Sequence, residues 1–127
     1  MEARIILAAI VTLHGLGHIL GPMMTFGIIR SEGFSDTSWL LNDRFQLSEG
    51  VQKALSLLWI VAFVGFVATA FGLWNGLGWW RAVAWVNVAL SVILFATWWN
   101  AFPQNVPLQA NLGNVAIVGG LLLLRSL

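Results

Sequence analysis

Four residues, Asn75 to Gly78, are all that separates two apolar runs, Val51 to Trp74 and Trp79 to Trp99. A helix of about 20 residues spans the roughly 30 Å hydrocarbon core of a bilayer, so each run is long enough to cross one. A Gly-rich link this short leaves two such helices one arrangement, an antiparallel hairpin. Two more runs flank the pair. Arg4 to Met24 is about 21 residues, or roughly 31 Å of helix. A shorter run starts at Leu108 or Leu112, ends at Leu124 and abuts Arg125. The first run is too long for the h-region of a signal peptide and contains His14 and His18, so it is read as a retained helix. The expected fold is an all-α integral membrane four-helix bundle in one domain, with spans near 4–24, 51–74, 79–99 and 108–124.

Composition agrees with that expectation. The chain has 127 residues, 59% hydrophobic and 9% charged, with a mean hydropathy of +0.86. Soluble domains carry about 25% charged residues. A net charge of +1 offers neither a nucleic-acid footprint nor a polybasic patch for anionic lipid. The absence of cysteine excludes disulfides and thiolate ligands.

Seven of the eleven charges fall between Arg30 and Lys53. In that polar loop, residues 30–50, Asp36, Thr37 and Ser38 supply N-cap chemistry ahead of Trp39, Leu40, Leu41, Phe45 and Leu47. The pattern fits a short amphipathic helix on the membrane surface, or else a solvated loop. The connection from Asn100 to Asn111 contains Pro103 and Pro107 and no charge, which predicts a compact turn. Trp74, Trp79, Trp80, Trp98 and Trp99 sit at span ends, where indole rings favour the headgroup level, while Trp59 and Trp85 lie deeper as packing groups. Arg4, Arg81 and Arg125 fall on one side and Arg30, Arg44 and Lys53 on the other. That is a tie by charge, tipped toward cytoplasmic termini by the uncharged third connection.

Small and polar residues mark where the helices touch, because lipid supplies no hydrophobic drive for helix association. His14, Gly17, His18 and Gly21 recur at spacings of three and four, which predicts that the histidines share a face with close-packing glycines. Ala62, Gly65, Thr69 and Gly72 form a second seam, and Gly113, Ala116 and Gly120 a third. The third span offers Ala84, Asn87, Ser91 and Trp98. Pro22 should bend or end the first helix where it stands.

Ionisable side chains at bilayer depth are rare and mark a functional site by default. His14 to His18 reads H-G-L-G-H, which looks like the H-E-x-x-H helix of zinc proteases with Gly15 in place of the glutamate. That glutamate is the general base, so a protease of this kind is argued against, and enzymatic activity is not expected. The spacing still places two imidazoles on one face, as two ligands of one divalent metal ion. No acidic residue lies within a span, so a third ligand would come from Asp43, Glu49 or another residue of the polar loop folding inward, or from water. Met23 and Met24 nearby admit copper(I). Haem is disfavoured, since two histidines one turn apart cannot take opposite axial positions. In the plainer alternative the pair is neutral and hydrogen-bonded to Ser91, Asn87, Ser56 or Asn114, fixing packing only.

The run Leu13 to Gly21, L-H-G-L-G-H-I-L-G, resembles the start of a group of small, functionally uncharacterised prokaryotic four-span membrane proteins. Their first helix carries H-G-x-x-H-x-x-G. Ser91 with Ile93 and Leu94, then Trp99, Asn100 and Ala101, then Asn114, are similar to that group's later pattern, with Asn100 where an aspartate is expected. The resemblance implies four spans in a prokaryotic plasma membrane and no particular activity. Small multidrug transporters match in size but depend on a carboxylate in the first helix, which this chain lacks.

The expectation for function is a small integral membrane protein with an intramembrane polar site. His14 and His18 would be metal ligands and Asn87, Ser91 and Asn114 binding residues, for a divalent metal or a small polar ligand. The alternative is a structural or accessory subunit of a larger membrane complex, with the histidines as packing groups. Partners would be the lipid bilayer and a membrane protein or second copy, and no nucleic acid.

Overall fold

The structure, a computed structural model, describes residues 2–103 and 105–124. Gln104 in the third connection and Arg125 at the end of the last run lie outside the described residues. Within them the chain is all-helical, and four stretches are long and apolar enough to cross a membrane: Glu2–Thr25, Glu49–Trp74, Trp80–Thr97 and Val106–Leu123. The first comprises α1 (Glu2–Gly17) and α2 (Leu20–Thr25), and the second α3 (Glu49–Ser56) and α4 (Leu58–Trp74). The last two are α5 (Trp80–Thr97) and α6 (Val106–Leu123).

The chain runs up and down in a ring, α1 packing against α4 and α6, and α5 against the same two. The α4–α5 link turns through Gly76 at φ 68°, a left-handed conformation that glycine adopts without a Cβ penalty. Asn75 holds the same turn by donating to the Phe71 carbonyl. The side chain of Arg81 lies over the Trp80 ring and donates to the Leu124 carbonyl, satisfying one of the orphan carbonyls at the end of α6.

Helix α6 starts at Val106, earlier than the sequence reading placed it, with Pro107 in its first turn. Proline fits there because the first turn of a helix has no use for its missing N–H. The connection before α6 is therefore shorter than Asn100 to Asn111, and includes a 3₁₀ turn, Trp99–Ala101.

The break in the first long helix also falls elsewhere than expected. Pro22 itself is inside α2, while α1 stops at Gly17 and α2 resumes at Leu20. A proline leaves the carbonyl four residues earlier without its bond and collides with it. That carbonyl belongs to His18. Around it the backbone tightens, with His18 N–H donating to the Gly15 carbonyl at 3.0 Å and Ile19 N–H to that of Leu16 at 3.2 Å.

The polar loop folds onto the end of α5. Ser38 caps a six-residue π-helical turn, Trp39–Arg44, by accepting from Leu41 N–H. The last turn of α5 has carbonyls with no intrahelical partner. Ser38 Oγ donates to that of Thr97, and the Trp39 indole to that of Ala96 at 2.8 Å. Asn100 completes the join, accepting from Trp39 N–H at 2.8 Å and donating to the Thr37 carbonyl. An aspartate here would lack the second of these bonds, since an ionised carboxylate only accepts.

Two apolar clusters form the core. One lies toward the α4–α5 hairpin and gathers Leu7, Val11, Phe66, Leu73, Trp80, Val88, Ile117 and Leu121. The other lies toward the polar loop and gathers Met24, Trp59, Leu94, Phe95, Trp98 and Phe102. Trp59 is thus buried as expected, but Trp85 is exposed and Trp98 is buried.

Candidate functional site

Between the two clusters a polar layer crosses the bundle, built from α1, the break that follows it, α5 and α6. His14 Nε2 lies 2.8 Å from Asn114 Oδ1, and Asn114 Nδ2 donates to Ser91 Oγ at 3.0 Å. Ser91 Oγ lies 2.8 Å from His18 Nε2, and His18 Nδ1 lies 3.0 Å from the His14 carbonyl oxygen. With both rings neutral, chemistry assigns every proton. A carbonyl oxygen only accepts, so His18 carries its hydrogen on Nδ1 and accepts on Nε2 from the Ser91 hydroxyl. Asn114 donates through its NH2, leaving Oδ1 to accept from His14 Nε2–H. The bonds form a closed circuit that begins and ends on His14.

The helix break makes that closure possible. In an unbroken helix His18 N–H would occupy the His14 carbonyl. Here that N–H has moved to Gly15, and the freed carbonyl takes the imidazole of His18 instead. His18, Ser91 and Asn114 are buried at 0%, 0% and 3% exposure. An aromatic cage closes round His18, with ring centroids 5.6 Å from Trp59, 5.0 Å from Phe66 and 5.4 Å from Phe95.

Three glycines let the helices approach. A Cβ at Gly15 would stand 2.7 Å from Phe66 Cβ, and one at Gly113 would stand 2.6 Å from His14 Nδ1. A Cβ at Gly21 would overlap the Trp59 indole. Gly17, expected on the same face, meets nothing within 4 Å. It lies two residues, about 200° of helix rotation, from Gly15. The buried face of α1 runs through Leu7, Ala8, Val11 and Gly15, so its centre is displaced from the histidine-glycine stripe seen in sequence.

Of the expected binding residues, Ser91 and Asn114 join the histidines and Asn87 does not. Asn87 donates to the Ala62 carbonyl at 2.6 Å and packs against Gly65, tying α5 to α4 one turn away. Ser56 donates to its own helix, to the Lys53 carbonyl at 2.6 Å. Asp43 and Glu49 are exposed and do not fold inward. Among the described residues no three His, Cys, Asp or Glu side chains group closely enough to hold a metal ion. The two imidazoles do lie close, meeting edge to face with centroids 4.9 Å apart, and His14 Nε2 also comes within 3.4 Å of Ser91 Oγ.

Sequence reasoning missed Gly15, the displaced break and the role of Asn100. The signal for the break was present, since Pro22 stands four residues after His18. The indole nitrogens of Trp59 and Trp98 are buried without a hydrogen-bond partner, and no pattern in the sequence marked them. No family model, curated protein or solved structure matches this chain.

Proposed function

We propose that this chain is a small integral membrane protein of a prokaryotic plasma membrane, related to the H-G-x-x-H-x-x-G group. In this reading it serves as a structural or accessory subunit whose four spans are locked by a neutral polar circuit. The single observation that carries the reading is the closure of that circuit. Every bond in it runs between His14, His18, Ser91 and Asn114, so both Nε2 atoms and His18 Nδ1 have partners without any ligand. The apolar outer faces of the spans would then meet lipid, a membrane-protein partner or a second copy.

A second reading is supported by one observation, the approach of both Nε2 atoms to the Ser91 hydroxyl. Two imidazoles aimed at one point suit a divalent metal or a small polar ligand. Elemental analysis of protein purified without chelators separates the two. A metal-free protein that migrates as a defined oligomer or stoichiometric complex supports the subunit reading. One metal equivalent, lost in the His14→Ala, His18→Ala double variant, overturns it in favour of the second. The bilayer placement is tested separately, by labelling single cysteines in a chain that has none of its own. Ser31→Cys and Asn105→Cys should report the same side of the membrane and Asn75→Cys the other.

A further inference from the structure

Thr25, Asp36, Thr37, Glu49, Gln52 and Lys53 line a cavity of about 330 Å³ where α2 ends and α3 begins. This is at the lower end of the roughly 300–1,000 Å³ range of small-molecule sites. Gln52 is only 5% exposed, and its Nε2 donates to the Leu47 carbonyl at 2.9 Å. That bond assigns the amide, because a backbone carbonyl only accepts. Among the described residues Oε1 has no hydrogen-bond partner. Among the described residues the buried side-chain atoms sealed off without a partner are the two indole nitrogens, so Gln52 Oε1 opens onto the cavity its side chain lines.

Charge defines what such a cavity takes. Asp36 and Glu49 are anionic, and Lys53 holds Glu49 at 2.7 Å. A calcium ion wants six to eight oxygens, and an ammonium already on one of two carboxylates opposes it. An apolar ligand would strand the Gln52 oxygen, whereas the Thr25 and Thr37 hydroxyls already bond the Gly21 carbonyl and Ser35 Oγ. A zwitterion meets both signs, its own ammonium donating to Asp36 and Gln52 Oε1 while its anionic end faces Lys53. The cavity lies at the ends of two long apolar helices, which is headgroup depth if those helices cross a bilayer, and the inference rests on that placement.

We propose that this cavity binds phosphoethanolamine, as the headgroup of a membrane phospholipid. A primary ammonium has three N–H donors, whereas the quaternary ammonium of choline has none to offer Asp36 and Gln52.

Native mass spectrometry on protein reconstituted with equal parts phosphatidylethanolamine, phosphatidylcholine and phosphatidylglycerol provides the test. The ethanolamine lipid should be retained about tenfold over the choline lipid, the scale of a charge-assisted hydrogen bond. Asp36→Asn should erase that preference and Asp36→Glu restore it. Asp36 and Asp43 are both exposed, so Asp43→Asn serves as a surface control that retains the lipid. Free phosphoethanolamine should compete the lipid off in detergent. Equal retention of the two lipids, or a preference that survives Asp36→Asn, overturns the proposal. Binding of free phosphoethanolamine without retention of its lipid overturns the lipid source. Absence of the preference in the unsubstituted protein, while cysteine labelling still reports four spans, refutes this site and leaves the bilayer placement standing.

Discussion

The two ends of the bundle solve the same packing problem with different materials. Toward the hairpin the core is largely aliphatic, with Leu7, Val11, Leu73, Val88, Ile117 and Leu121, and backbones close up at glycine. A Cβ at Gly120 would stand 2.6 Å from a Leu7 methyl, and one at Gly72 2.8 Å from Trp80 Cβ. Toward the polar loop the core is built from rings, Trp59, Phe95, Trp98 and Phe102, which meet edge to face or tilted at 4.8–5.9 Å. Aliphatic packing tolerates shape change through rotamers, whereas interlocked rings demand fixed positions. Among the described residues only the aromatic end holds polar side-chain atoms sealed without a partner, and it is the end the polar loop covers. The histidine circuit divides the two.

The strongest test of the contrast is at Gly21, where any side chain overlaps the Trp59 ring. Gly21→Leu should destabilise the fold by about 3 kcal/mol, the upper part of the usual range for overpacking. Gly17→Leu, on the open side of the same helix, should stay within about 0.5 kcal/mol. Reversible unfolding in mixed micelles measures both, and equal losses would remove the one-sided face on which the aromatic end depends.

The dividing layer is tested next. Ser91→Ala removes the hub between His18 and Asn114 and should cost about 1 to 2 kcal/mol, given interhelical hydrogen bonds of roughly 0.6–1.7 kcal/mol in membranes. Combined with Asn114→Leu, the loss should be clearly less than additive, since both act on one circuit. Additive losses in a double-mutant cycle would mean that the bonds are independent.

Gly113→Ala should push the His14 ring off Asn114 and cost about 1 kcal/mol. Gly119→Ala, with nothing within 4 Å of the new Cβ, should be neutral or slightly stabilising through helix propensity. Nitrogen chemical shifts of His14 would report the first change directly.

The smallest effect is expected at the aromatic end. Trp98→Phe loses ring area but also removes a buried N–H that has no acceptor, and these oppose each other at about 1–3 kcal/mol each. The net change should fall within about 1 kcal/mol. A loss well above that would reveal an acceptor for the indole.

Much of this fold was legible because hydropathy and helix length are local properties. The four long apolar helices and the Asn75–Gly78 turn follow from runs of residues that any window along the chain detects. The circuit was half legible. His14 and His18 announce themselves as the ionisable residues of an apolar stretch, but whether Asn87 or Ser91 reaches them depends on the rotation of α5, which turns one toward α4 and the other toward α1. Gly17 misled for a related reason. A stripe drawn through the histidines assumes that they mark the centre of the buried face, and Val11 and Gly15 place that centre elsewhere. Asn100 was read for a missing charge, and its role in holding the loop emerges only once Thr37 and Trp39 are brought beside it.

The circuit joins residues far apart in the chain, His18 to Ser91 across 73 positions and His14 to Asn114 across 100. In the bilayer reading, the first of these four spans is made before the third and fourth, which bring the partners of its two imidazoles. Until then the cheapest resting place for His14 and His18 is near water or beside a helper protein, because an unpaired polar group in hydrocarbon costs several kcal/mol. The chain would thus have a built-in order of assembly, with the hairpin of α4 and α5 formed early from neighbours in sequence and the first helix settling into place last. A chain cut short before Asn114 would leave that final step undone, and its first helix open to proteolysis.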